Sequence, residues 1–151
     1  MEKKVLESLQ RRCARAEYCS SDIYRKALKA MDGDAEAAAR ITASLVKDRF
    51  VDDLRYASAF AREKASLQGW GAVKIRFMLR GKGIDEATVS QALEEIDPAK
   101  ASAKLEKVVR EKNRTLEGDP QRKLKLIKFA LGRGYSYDEV EKALRTLEES
   151  S

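Results

Sequence analysis

The stretch Gly81-Lys82-Gly83-Ile84 decides how this chain is read, because Gly132-Arg133-Gly134-Tyr135 repeats it 51 residues further on. At the same shift Val89 falls on Val140, Ala92-Leu93 on Ala143-Leu144, and Ile96 on Leu147. Upstream, Lys74-Ile75 falls on Lys125-Leu126 and Leu54 on Leu105. A register held from Leu54 to Ile96 marks a repeated structural unit. The first third joins more loosely at a shift of 48, which aligns Leu6 with Leu54, Gly33 with Gly81, Ile41 with Val89 and Leu45 with Leu93. Three units follow: residues 1–50, 51–97 and 98–151.

Each unit reads as three helices. In the middle one, Asp52 or Asp53 is placed to cap a first helix running to about Leu67, with Leu54, Ala57, Phe60 and Ala61 on one face. Gly69-Trp70-Gly71 breaks it, Gly69 suiting the left-handed position past a helix end. A second helix over 72–80 should bury Ile75, Met78 and Leu79, and a third from about Asp85 should bury Val89, Ala92, Leu93 and Ile96. In the last unit Asp119 is expected to cap the second helix, with Pro120 at its first position, and the third opens near Ser136. In the first, Ser20, Ser21 or Asp22 is expected to cap the second helix. Helices this short need tertiary packing. The expected fold is therefore all-α: three tandem three-helix repeats forming an elongated, curved helical array, with a compact bundle as the competing architecture.

Composition agrees with helices and narrows the chemistry. Charged residues make up 37% of the 151, apolar ones 43%, and only Pro98 and Pro120 interrupt as prolines. There is no histidine, and Cys13 and Cys19 are the only cysteines, so most zinc sites and the commonest general base are missing. A reduced thiol pair in a soluble, cytoplasmic monomer is expected, without cofactor or metal. No phosphate-binding glycine loop or nucleophile motif occurs, since the Gly-x-Gly pairs lie between helices. A non-enzymatic binding role is the natural reading.

The net charge of +6 is uneven. No acidic residue occurs between Glu63 and Asp85, a stretch containing Lys64, Lys74, Arg76, Arg80 and Lys82. The same gap lies between Asp119 and Asp138, around Arg122, Lys123, Lys125, Lys128 and Arg133. Both runs cover the second helix of a unit and the turn after it. Arg76 and Arg80 are four apart and share a helical face. These cations suit carboxylates and phosphates alike; the plainer alternative is a solvated helix face. Arg55, one turn into its helix, joins the candidates as exposed and available. Trp70 is expected to wedge within its own unit, and Phe77 to pack on a neighbouring unit or be exposed.

Phe50-Val51-Asp52-Asp53-Leu54-Arg55-Tyr56-Ala57, then Gly69-Trp70-Gly71, then Leu79-Arg80-Gly81-Lys82-Gly83-Ile84 together resemble the signature of the RecX family. The first unit departs from it in lacking the Gly-x-Gly break. The resemblance implies a three-repeat helical module that binds the RecA recombinase and its filament on DNA, lies along the filament groove, and restrains filament growth, ATP hydrolysis and strand exchange. It makes the ten cations (Arg55, Lys74, Arg76, Arg80, Lys82, Arg122, Lys123, Lys125, Lys128 and Arg133) candidates for RecA or DNA contact. Two other readings compete: a helix-turn-helix-like module gripping DNA phosphates non-specifically, and a generic helical scaffold.

Overall fold

Among the residues described, 1–150 of a computed structural model, the chain forms nine α-helices and no β-strand. They are α1 (Glu2–Arg15), α2 (Ser20–Ala30), α3 (Ala35–Lys47), α4 (Asp53–Ser66), α5 (Ala72–Gly81), α6 (Glu86–Glu94), α7 (Pro98–Thr115), α8 (Arg122–Gly132) and α9 (Tyr137–Glu149). The all-α reading and the triplet order are met: α1–α3, α4–α6 and α7–α9. Contacts gather the chain into two compact units, Met1–Ala59 with Leu79–Val89, and Phe60–Met78 with the chain from Ser90 onward. Each holds one whole triplet and part of the middle one.

Within the first unit α1, α2 and α3 pack on one another around Leu9, Ile23, Ala27, Ile41 and Leu45. Within the second, α7, α8 and α9 close around Leu105, Val109, Leu126, Tyr135 and Val140. Burial pushes the Tyr135 phenol up to about 12. In the middle triplet Ala57, Ala61, Ile75, Leu79, Val89 and Ala92 are all buried as the periodicity predicts, but Met78 is 40% exposed. Its helix is apolar on nearly every side, so spacing alone could not place it. Cys13 and Cys19 are both free thiols.

Short polar side chains set most helix starts by accepting otherwise unpaired amides. Asp34 accepts from Ala37 N, Asp52 from Arg55 N, Asp85 from Thr88 N, and Asp97 from Ala99 N with Pro98 behind it. Ser136 and Glu139 form a reciprocal capping box. Two expected caps are absent. At α2 the cap position falls on Cys19, and Ser20 and Ser21 are already helical, their side chains turned elsewhere. Asp119 instead closes the turn before α8 by accepting from Gln121 N and Lys125 Nζ, so Pro120 precedes the helix, which begins at Arg122.

The second helices α2 and α5 start against the following triplet. The amides of Gly71 and Val73, at the N-terminus of α5, donate to the carbonyls of Arg133 (2.8 Å) and Gly134 (3.0 Å) in the turn before α9. This approach is close enough to forbid side chains. A Cβ on Gly71 would collide with the Gly134 carbonyl oxygen, and one on Gly134 would collide with the Lys74 Cβ and lie 2.7 Å from the Lys74 amide. At α2 the equivalent contact uses side chains. Asp53 of α4 accepts from the Ser20 amide and hydroxyl, both at 2.7 Å, while the Ser21 hydroxyl donates to the Lys82 carbonyl in the Gly81–Gly83 turn. Lys82 Nζ reaches Asp22 at 3.4 Å. Burial alone would raise the Asp22 carboxyl, but hydrogen bonds from Cys19, Arg25 and Lys82 hold it below its usual value.

These contacts generate two stability predictions, both read from urea unfolding midpoints. Gly71→Ala should cost about 1–3 kcal/mol by overpacking. Gly81→Ala, where a Cβ meets open space, should be neutral or stabilising by about 0.5–1 kcal/mol. Equal stability of the two variants would contradict the close contact. Asp53→Ala should cost about 1–3 kcal/mol by leaving the Ser20 donors unmatched, with Asp53→Asn recovering part of the loss.

Candidate interaction surface

The ten cations singled out in the sequence do not form one patch; packing divides them by what each already binds. Arg55 and Lys82 meet the first triplet. Arg55 is less available than expected: its guanidinium lies 2.8 Å from Glu17 and also donates to the Arg49 and Phe50 carbonyls. Lys82 is held by Asp22. Arg80 donates to the Ile84 carbonyl at 2.9 Å and lies 3.8 Å from Glu86, and Arg76 donates to the Ser90 hydroxyl at 3.2 Å.

Lys74 and Arg133 come together at the start of α5. Lys74 Nζ sits 4.2 Å from the centre of the Trp70 ring, with Lys64 5.0 Å from the same ring. Trp70 itself packs edge-on against Phe60 at 6.2 Å, and is wedged in the manner expected. Arg133 stacks over Phe129 at 5.0 Å and donates to the Gln68 carbonyl at 2.7 Å. Both cations thus help to hold the α5 junction, where cation–π contacts add to the hydrogen bonds.

The cations of α8 face outward. Arg122 donates to Asn113, Lys123 lies at 4.0 Å from Glu148, and Lys125 binds Asp119, keeping that carboxyl below its usual range. Surface pairs of this kind contribute little to stability and exchange readily with a partner's charges. Lys128 is exposed and has no ion pair among the described residues.

Alongside these cations lie exposed apolar side chains, of which the sequence had singled out Phe77 alone. On α8, Leu124 (50% exposed) and Leu131 (40%) flank Lys128 at positions i, i+4 and i+7, forming one stripe. On α5, Val73 (57%) and Phe77 (76%) stand four apart. At the repeat shift Val73 falls on Leu124 and Phe77 on Lys128, so the two stripes occupy equivalent positions. Phe77 is exposed, one of its two expected fates. The available signal was the surplus of apolar residues on α5 beyond a single face. Among the described residues no cluster of His, Cys, Asp or Glu could hold a metal ion, and no helix is long and apolar enough to cross a membrane.

Known proteins share this arrangement. Residues 52–93, from the cap of α4 almost to the end of α6, match the family model described as RecX, second three-helix domain. A protein of Mycolicibacterium smegmatis named regulatory protein RecX is 31% identical over 107 residues, covering 67% of this chain and 57% of that protein. The chain spans little more than half the length of the first curated relatives it matches. A crystal structure of regulatory protein RecX superposes with a TM-score of 0.87 at 25% identity, covering 95% of this chain and 71% of that one. RecX from Lactobacillus salivarius has the same fold, with a TM-score of 0.85 at 18% identity over 97% of this chain and 96% of its own. From the Asp52 cap through the Gly-x-Gly turns to the triplet order, this chain belongs to the RecX family.

Proposed function

We propose that this chain is a regulatory protein that binds RecA and RecA–DNA filaments. In this reading it inhibits filament assembly, ATP hydrolysis and strand exchange in recombination and DNA repair. It acts in the cytoplasm as a monomer, by occupancy, with no cofactor and no reaction of its own. Support comes from the relatives, which bear the name regulatory protein RecX.

The observation that carries it is the repeated stripe on α5 and α8. Val73 and Phe77 on one helix, and Leu124, Lys128 and Leu131 on the other, combine apolar anchors with cations. Apolar anchors exclude water at the centre of a protein contact, while surrounding charges steer and orient the partner. A repeated partner surface, such as successive protomers of a filament, suits a repeated stripe. Arg76, Lys123, Lys125 and Lys128 are the contact residues proposed beside these anchors, with Lys74, resting on Trp70, at their edge. Arg55, Lys82 and Arg133 contribute mainly by holding triplets together. A module that only gripped DNA phosphate would have no use for Phe77 and Leu124 in solvent.

The test is RecA-catalysed ATP hydrolysis and strand exchange with added protein, beside a titration of naked DNA. Inhibition at stoichiometric protein is expected, with weak and steeply salt-dependent DNA binding alone. The double variant Phe77→Ala, Leu124→Ala should raise the concentration for half-inhibition roughly tenfold or more while leaving the fold intact. Unchanged RecA activity would overturn the reading. Useful affinity for naked DNA at physiological salt without an effect on RecA would support the helix-turn-helix-like alternative.

A further inference from the structure

Helices α1 and α2 leave between them an open groove of about 630 Å³, well away in sequence from the stripes of α5 and α8. It is built from two adjacent ridges of α1. Met1 and Val5, spaced i and i+4, make an apolar floor above the buried Leu9; Lys4, Ser8 and Arg12, one ridge over, make one rim. The opposite rim is Lys26 and Lys29 of α2.

We propose that this groove docks an acidic amphipathic α-helix of a partner protein. The charges decide the sign of the partner. No acidic side chain lines the groove, and among the described residues none of Lys4, Arg12, Lys26 and Lys29 takes part in an ion pair. Neighbouring cations do: Arg25 is paired with Asp22 and Arg40 with Glu2. Lys26 lies over the Tyr18 ring at 5.4 Å. Four like charges around one cleft repel one another, and a polyanionic partner relieves that repulsion.

The floor decides the chemical class. A phosphate ligand would use the rims and leave Met1 and Val5 unused, and no aromatic side chain lines the groove for base stacking. A helix with apolar residues at i, i+3, i+4 and i+7 fills such a floor and presents carboxylates to both rims. This site is separate from the α5 and α8 stripes, so it stands or falls independently of the RecA reading.

The test uses the full chain and a fluorescent synthetic peptide, helical, with Leu on one face and Glu on the other. Saturable binding is expected, weakened by salt, and mapped to α1 and α2 by amide chemical shifts. The pairs Lys4→Glu, Arg12→Glu and Lys26→Glu, Lys29→Glu should each weaken it at least tenfold; Lys4, Arg12 and Lys29 are exposed and Lys26 is half-buried, and circular dichroism checks that the variants fold. Replacing the peptide's Leu by Ser should abolish binding. Undiminished binding of the Ser peptide, equal binding of a Lys-faced peptide, or tighter capture of a single-stranded oligonucleotide in the same groove would each overturn the proposal.

Discussion

Two backbone hydrogen bonds organise this molecule: the amides of Gly71 and Val73 donating to the carbonyls of Arg133 and Gly134. The N-terminus of a helix carries donors that its own ladder cannot satisfy. In α5 the turn before α9 supplies the acceptors, so α5 starts cleanly only with the last triplet in place. The bonds require the two backbones to touch, and touching requires glycine on both sides. Gly134 also has φ +97, a conformation that any other residue would adopt with strain. The first triplet solves the same problem differently, with Asp53 and the Lys82 carbonyl receiving Ser20 and Ser21.

These junctions also sort the charged residues by role. Lys82, Arg133 and Arg55 lie where triplets meet and are occupied by Asp22, Gln68 and Glu17. Lys74 rests on Trp70, beside the same junction. What remains exposed is the outward side of the second helices, where Leu124, Lys128 and Leu131 stand together and Val73 and Phe77 mark the equivalent place. Residues bound into the fold and residues left to solvent are thus interleaved along the same basic runs. A charge count along the chain cannot separate them.

The repeat was legible because glycines recur at 81, 83, 132 and 134. The turns before α6 and α9 place Gly83 and Gly134 at positive φ (+80 and +97), and of the four only Gly134 also makes the close contact. The first triplet aligned more loosely, and its junction is made by serine and aspartate side chains, which have no spacing signature. Asp53 illustrates the limit. As one of two adjacent acids at a helix start it read as a possible cap, yet Asp52 takes that role and Asp53 binds Ser20, 33 residues away. Long-range pairing is not encoded in local pattern. Neither was the exposure of Val73 and Met78, since Ala72, Val73, Ile75, Phe77, Met78 and Leu79 make α5 apolar on most sides and periodicity needs contrast to show a face.

Amide hydrogen exchange at Gly71 and Val73 in the native protein tests the central claim most directly. If the α9 turn receives these donors, both amides should be protected to the same degree as that of Ile75, which lies within the α5 ladder. Exchange of Gly71 and Val73 at the rate of an unstructured chain, with Ile75 still protected, would contradict it.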